Sequence, residues 1–194
     1  MPKIVDKDRM RGAILDAALA AFGEKGFHAA TIADVAAAAG LGKGTLYLYF
    51  RNKDALAEAL VARHFDAMAE RLTPADAPGD LDGFLDRIVA ALDVPEEAAR
   101  FLPVFFEVFG PSFAVRDFRA RVAAVFDGIA ARWAEGLAEL QAAGEVRADL
   151  EAPVLARMLV AQVDGLVLHA GLFGAVPDAA AMRAVLAAGL SARS

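Results

Sequence analysis

Apolar side chains recur along this chain at helical spacing almost from its beginning. Between Asp8 and Lys25, the residues Ile14, Leu15, Ala18, Leu19 and Phe22 share one face, with Arg9, Arg11, Asp16 and Glu24 off it. That pattern predicts a first helix, and Gly26 stands where its C-terminal cap belongs. Thr31 is a good N-cap for a second helix over Ile32–Ala39, with Asp34 in a capping-box position and Ile32, Val35 and Ala36 inward. Gly40-Leu41-Gly42 reads as a turn. A short third helix follows over Lys43–Phe50, and a fourth starts at Asn52 or Lys53 and runs to about Leu72.

The stretch from Thr73 to Gly79, with Pro74 and Pro78, breaks helix. Periodicity then predicts helices over Leu81–Leu92, Glu96–Phe109, Ser112 to about Ala143, Ala152 to about Phe173, and Asp178–Ala192. Pro95, Gly110-Pro111, Gly144, Pro153 and Pro177 mark the joints, and Pro103 is placed to kink its segment. No strand, internal repeat or low-complexity tail is evident. Residues Val154 to Phe173 are apolar nearly all round, with Gln162, Asp164 and His169 as exceptions. A helix of that kind must be covered on both sides. One side would face its own core and the other a second subunit, in a four-helix bundle about a two-fold axis. Leu155, Leu159, Leu166, Met182 and Leu186 are the residues expected at that homodimer interface.

Composition agrees with an all-α fold. Hydrophobic residues make up 58% of the chain, enough for a large core, and alanine, the best helix former, dominates. Cysteine is absent, which removes disulfides, thiolate metal sites and a cysteine nucleophile. The N-terminal Met1-Pro2-Lys3-Ile4 leads into charged residues, and charged or amide side chains interrupt the apolar runs short of a membrane span. A soluble, cytoplasmic protein with no membrane partner is expected. The net charge of −6 is unevenly spread, for all five lysines lie at or before Lys53. Residues 1–54 carry Lys3, Lys7, Arg9, Arg11, Lys25, Lys43, Arg51 and Lys53 against Asp6, Asp8, Asp16, Glu24, Asp34 and Asp54, while the rest is strongly acidic. A mildly basic head on an acidic body lets the head alone approach phosphates. Chance in a lysine-poor composition gives the same asymmetry, so charge does not decide the matter.

The stretch from Thr31 to Leu56 decides it. Two short helices must cross steeply about Gly40-Leu41-Gly42. Ala36 and Gly40 are small enough for close approach, and Leu41 and Leu46 plug the space between them. The second of the two helices would enter a DNA major groove. Over residues 12–56 the sequence resembles the tetracycline-repressor (TetR) family of regulators. The resemblance rests on Ala21-Phe22, Gly26-Phe27, Thr31, Val35-Ala36, Ala39-Gly40-Leu41, Lys43-Gly44-Thr45-Leu46-Tyr47, Tyr49-Phe50, Asn52-Lys53-Asp54 and Leu56. Beyond that stretch only the general shape matches. The resemblance implies an N-terminal three-helix DNA-binding domain with a helix-turn-helix (residues 1–54) and a C-terminal helical-bundle regulatory and dimerisation domain (residues 55–194). It implies phosphate contacts from Thr31, Tyr49 and Lys53, and base contacts from Lys43, Gly44, Thr45 and Tyr47. The family usually has Ser or Thr where this chain has Gly42, which removes one candidate phosphate contact.

Other readings are weaker. Tyr47, Tyr49 and Phe50 would serve as core aromatics in any helical domain, and Phe50 is expected in the core here too. Gly40-Leu-Gly-Lys-Gly-Thr45 lacks the spacing and the preceding strand of a nucleotide-binding loop. His28, His64 and His169 form no metal-binding pair, and no serine sits in a nucleophile elbow. No cofactor and no catalytic activity are therefore expected. The C-terminal half carries much aromatic volume. A small apolar or amphipathic effector is expected against Phe65, Met68, Ile88, Phe105, Phe109 and Phe126, with Gln162 and His169 as polar contacts. Simple core filling explains the same phenylalanines. Ligand-controlled repression of a palindromic double-stranded operator by a homodimer is the leading expectation. An activator or DNA-binding protein without a small-molecule ligand is its first rival, and a small helical enzyme acting on an apolar substrate its second.

Overall fold

A computed structural model of the chain describes residues 7–73, 79–92, 105–107, 116–173 and 178–191. Their regular structure is helical: α1 (Lys7–Lys25), α2 (Ile32–Ala38), α3 (Lys43–Tyr47), α4 (Lys53–Leu72), α5 (Leu81–Leu92), α6 (Arg116–Ala142), α7 (Ala152–Phe173) and α8 (Ala179–Leu190). Residues 105–107 are helical as well. The rest of the helix expected over Glu96–Phe109, with Phe109 and the kink at Pro103, lies outside the described residues. So do the joints at Pro95, Gly110-Pro111 and Pro177.

The chain divides into two compact units, one drawing on Met1–His64 and Glu96–Ala120, the other on Phe65–Pro95 and Arg121–Ser194. In the first, α2 packs on α1 and α3 on α2. Ile14, Ala18 and Phe22 of α1, Val35 and Ala36 of α2, Leu46 of α3, and Leu56 and Val61 of α4 are buried. These are the apolar positions that the helical period aligns. Phe27 closes the end of α1 edge-on against Phe22, with ring centroids 5.3 Å apart. Arg11 lies 4.3 Å above the ring of buried Phe50, a cation–π contact that ties α1 to the segment after α3.

The second unit has its own core. Phe84, Leu85 and Ile88 of α5, Ile129, Trp133 and Leu137 of α6, Leu155, Leu159 and Val163 of α7, and Met182, Leu186 and Leu190 of α8 form one cluster. Trp133 donates its indole N–H to the carbonyl of Leu72 at 2.7 Å, which satisfies the polar edge of a buried ring. Arg183 of α8 reaches Asp82 at 2.6 Å and Asp86 at 2.8 Å on α5. Arg157 of α7 reaches Asp127 of α6 at 2.7 Å. Gln141 donates to the carbonyls of Arg147 and Leu150 and so fastens the loop between α6 and α7. Among the described residues α7 is the one helix long and apolar enough to cross a bilayer, over Ala152–His169. Leu155, Ala156, Leu159, Val160 and Val163 on it pack into the core described above.

Candidate nucleic-acid interface

The turn between α2 and α3 is built by local chemistry. Thr31 caps α2: its hydroxyl oxygen accepts from the Asp34 N–H, and Asp34 Oδ2 accepts from the Thr31 N–H at 2.8 Å. This is the expected capping box. Asp34 also takes a 2.6 Å bond from Lys25 at the end of α1. The hydrogen bonds from Lys25 and Thr31 hold its carboxyl well below the usual carboxylate range, so α2 begins with a fixed negative charge. At the other end Gly40 has φ +66, a conformation costly for side-chain-bearing residues. It lets the Leu41 N–H return to the Ala36 carbonyl at 2.8 Å while Gly40 bonds Ala37. This double closure ends the helix within one residue and turns the chain into α3.

Helix α3 starts at Gly42 without a side-chain cap. It ends at Tyr47, three residues before the expected Phe50, because Leu48 and Tyr49 bond back only three residues, to Thr45 and Leu46. That tighter final turn is common at helix ends. Leu46 is fully buried and anchors the helix. Lys43, Gly44 and Thr45 are exposed and Tyr47 is 53% exposed, so these four candidates stand on the surface together on one short helix. Tyr47 is thus no core aromatic, while Phe50 is buried as expected. Tyr49 is half-buried, and its carbonyl accepts from Arg11.

Two candidates are held more tightly than the sequence indicates. The Thr31 hydroxyl donates to Asp34 Oδ2 at 2.7 Å. Lys53 Nζ donates to the carbonyls of Phe27 (2.8 Å), His28 (3.2 Å) and Ala30 (3.1 Å), and sits 4.5 Å from the centroid of the Phe27 ring. Its three protons are thereby engaged inside the head. Asn52 caps α4 by accepting from the Ala55 N–H at 2.7 Å. On the other side of the same turn, the Glu107 carboxylate accepts from the Phe27 N–H. Sequence reasoning missed Glu107 and Arg11, since only the fold brings distant residues to these backbone atoms.

The expected effector residues fall into three sets, with Phe65, Met68, Ile88 and Phe126 together in the second unit. Ile88 is in the core of the second unit, with Met68 and Phe126 packed against that core. Phe65 is buried, 5.6 Å from Phe126 between ring centroids. Phe105 belongs to the first unit, where it meets Phe106 edge-on. Gln162 and His169 instead line a groove of about 290 Å³ between α7 and α8, with Gly165, Leu166, Met182 and Val185 among its walls. Helical spacing puts Gln162 and His169 on one face but does not say whether that face looks inward.

Four of the five expected dimer residues are buried within the chain's own second unit. Leu155, Leu159, Met182 and Leu186 are 6%, 2%, 7% and 2% exposed, because their own core covers them. They have little surface left for a second subunit. Among the described residues, the large apolar side chains left open on these two helices are Val154, Met158, Leu168 and Val185, at 48%, 61%, 38% and 64%. Leu166 is half-buried beside the groove. Among the described residues no group of three or more His, Asp or Glu side chains is arranged to hold a metal ion.

A capped two-helix turn that displays a short polar helix, followed by a separate helical bundle, defines a helix-turn-helix regulator. Residues 14–60 match the family described as bacterial regulatory proteins, tetR family, and residues 80–193 match the BetI-type transcriptional repressor C-terminal family. The chain belongs to the tetR family of bacterial regulatory proteins, with a C-terminal part of the BetI type. The HTH-type transcriptional regulator BetI of Escherichia coli K12 is 40% identical over 76 residues. That match spans 37% of this chain and only 39% of the curated relative. The fold is similar to that of a transcriptional regulator from Saccharomonospora viridis in complex with choline (TM-score 0.74, 24% identity, 96% of this chain and 100% of that one). It is also similar to SmeT in its complex with triclosan (TM-score 0.75, 22% identity, 94% and 92%).

Proposed function

We propose that this chain is a ligand-controlled transcriptional repressor, not an enzyme, which binds a pseudo-palindromic operator as a homodimer in the cytoplasm. The observation that carries the reading is α3 itself: Leu46 is fully buried while Lys43, Gly44, Thr45 and Tyr47 face outward. Residues 1–54 read DNA, and residues 55–194 sense the effector and dimerise. Lys43 donates to guanine edges, the Thr45 methyl packs on thymine, and Tyr47 lies beside them. Thr31 and Tyr49 approach the phosphates. Lys53 acts there mainly through position and charge, since its ammonium braces the turn before α2.

The exposed Val154, Met158, Leu168 and Val185 supply the face on which two copies meet. Dimerisation sets two recognition helices one or more helical turns apart, as a specific site requires. The effector is a small apolar or amphipathic molecule. The triclosan complex of a similar fold supports that class, and the choline complex of another adds a small organic cation to the candidates. The aromatic pairs Phe65–Phe126 and Phe84–Trp133 offer it rings.

Selection from random duplexes tests the core of this reading. The expected product is an enriched inverted repeat, whose base preference Lys43→Ala alters at one position of each half-site. Choline and triclosan, added one at a time to the complex, are the first effector probes. An active compound releases DNA and raises the melting temperature of the free protein. Recovery of no enriched motif overturns the proposal.

A further inference from the structure

We propose that Leu48 is a specificity-determining residue that reads the 5-methyl group of thymine, an inference that rests on the DNA-binding reading above. Leu48 is 82% exposed, more than Tyr47, Val185 or Met158. It follows α3 directly and keeps helical dihedrals, φ −70 and ψ −21. Residues three and four apart on a helix are neighbours, so Leu48 shares a face with Thr45 and Gly44, both exposed. The buried Leu46 lies on the other side.

Gly44 strengthens the case. Its φ is not among the positive values of the chain, and a Cβ built there meets nothing within 4 Å. The fold therefore does not need glycine at this position, although glycine weakens a helix interior. What glycine provides is a hollow on the outer face, next to a projecting leucine and a threonine methyl. An external partner is able to come close to the backbone there. In the major groove the thymine methyl is the apolar group that the base-pair edges present, so an apolar side chain on this face selects for it. The same exposed leucine would also fit a deoxyribose, which carries no sequence information.

Replacing thymine by uracil removes only the methyl group and separates these cases. The full-length protein is titrated with its selected operator, and each thymine of one half-site is changed singly to uracil. For the wild type, uracil at one position is expected to weaken binding about three- to fivefold, the size of one buried methyl group. Leu48→Ala is expected to weaken binding to the thymine operator by a similar factor and to be indifferent to uracil at that same position. Because Leu48 is exposed, the variant should melt with the wild type, and a thermal scan checks that it is folded. Equal uracil penalties in wild type and Leu48→Ala overturn the inference while leaving DNA binding intact. A uniform loss in Leu48→Ala, regardless of the base, assigns the contact to sugar and also overturns it. If the wild type selects no operator, the DNA-binding reading falls, and this inference with it.

Discussion

At the scale of single residues, the backbone of Phe27 is gripped at both its N–H and its carbonyl. Glu107 takes its N–H and Lys53 its carbonyl. Lys53 also holds His28 and Ala30, so one ammonium fixes the whole turn that delivers Thr31 to the start of α2. Removing it leaves carbonyls short of a partner. Lys53→Met, which keeps the stem over the Phe27 ring, should cost about 1–2 kcal/mol, the scale of hydrogen bonds to a charged group in a partly exposed place. Thermal denaturation should show a melting temperature lower by several degrees, and operator affinity should fall with it. An unchanged melting curve would show that the clasp contributes nothing to folding and would return Lys53 to a simple phosphate contact. The contrast with Thr31 shows what a sequence discloses. Thr31 and Asp34 are three residues apart, and their capping box follows from local spacing. The partners of Lys53 lie 23 to 26 residues away and are backbone carbonyls, which no side-chain pattern reveals.

At the scale of helices, the bounds of most elements were legible because apolar period, caps and breakers coincide. The orientation of α7 and α8 was not. Both are apolar on nearly every side, so periodicity carries no information about which face meets the core. Leu159 and Met158 are adjacent, yet one is buried at 2% and the other open at 61%. Arginine should separate their roles. Leu159→Arg puts an unpaired charge in the core and should prevent folding. Met158→Arg should leave circular dichroism native but shift sedimentation from dimer to monomer, and specific DNA binding should disappear with the dimer. A folded, dimeric Met158→Arg that binds DNA normally would remove this face from the interface. The effector residues were left undecided for a related reason. Phenylalanine spacing marks burial, but it does not tell a filled core from a cavity wall, and it cannot assign Phe105 to a different unit from Phe126.

At the scale of the molecule, the family was readable because its signature is local, a dense run of typed positions around one turn. Long-range ties such as Arg183 to Asp82 and Asp86 were not, since charged helix faces are generic until the fold pairs them. The uneven charge makes a further prediction. A chain of net charge −6 with its lysines confined to the head should bind DNA through the head alone. Two such heads should give strongly salt-dependent binding: anisotropy titrations at 50 and 200 mM salt should differ in affinity by at least about a hundredfold. A flat salt response would show that phosphate contacts contribute little. Whatever factor an effector imposes on operator affinity, operator must impose on effector affinity, so the two titrations check each other.

Trp133 gives the molecule an optical property. It is the chain's single tryptophan, is buried, and has its indole N–H committed to the last residue of α4. Excited at wavelengths that Tyr47 and Tyr49 do not absorb, the protein therefore emits from one buried, hydrogen-bonded ring. While that ring stays covered the spectrum lies to the blue. Drawing the end of α4 away from it would admit water and move the maximum to the red. The protein is in effect supplied with its own fluorescent label at the end of the helix that begins with Lys53, and it can be watched during titration without any chemical modification.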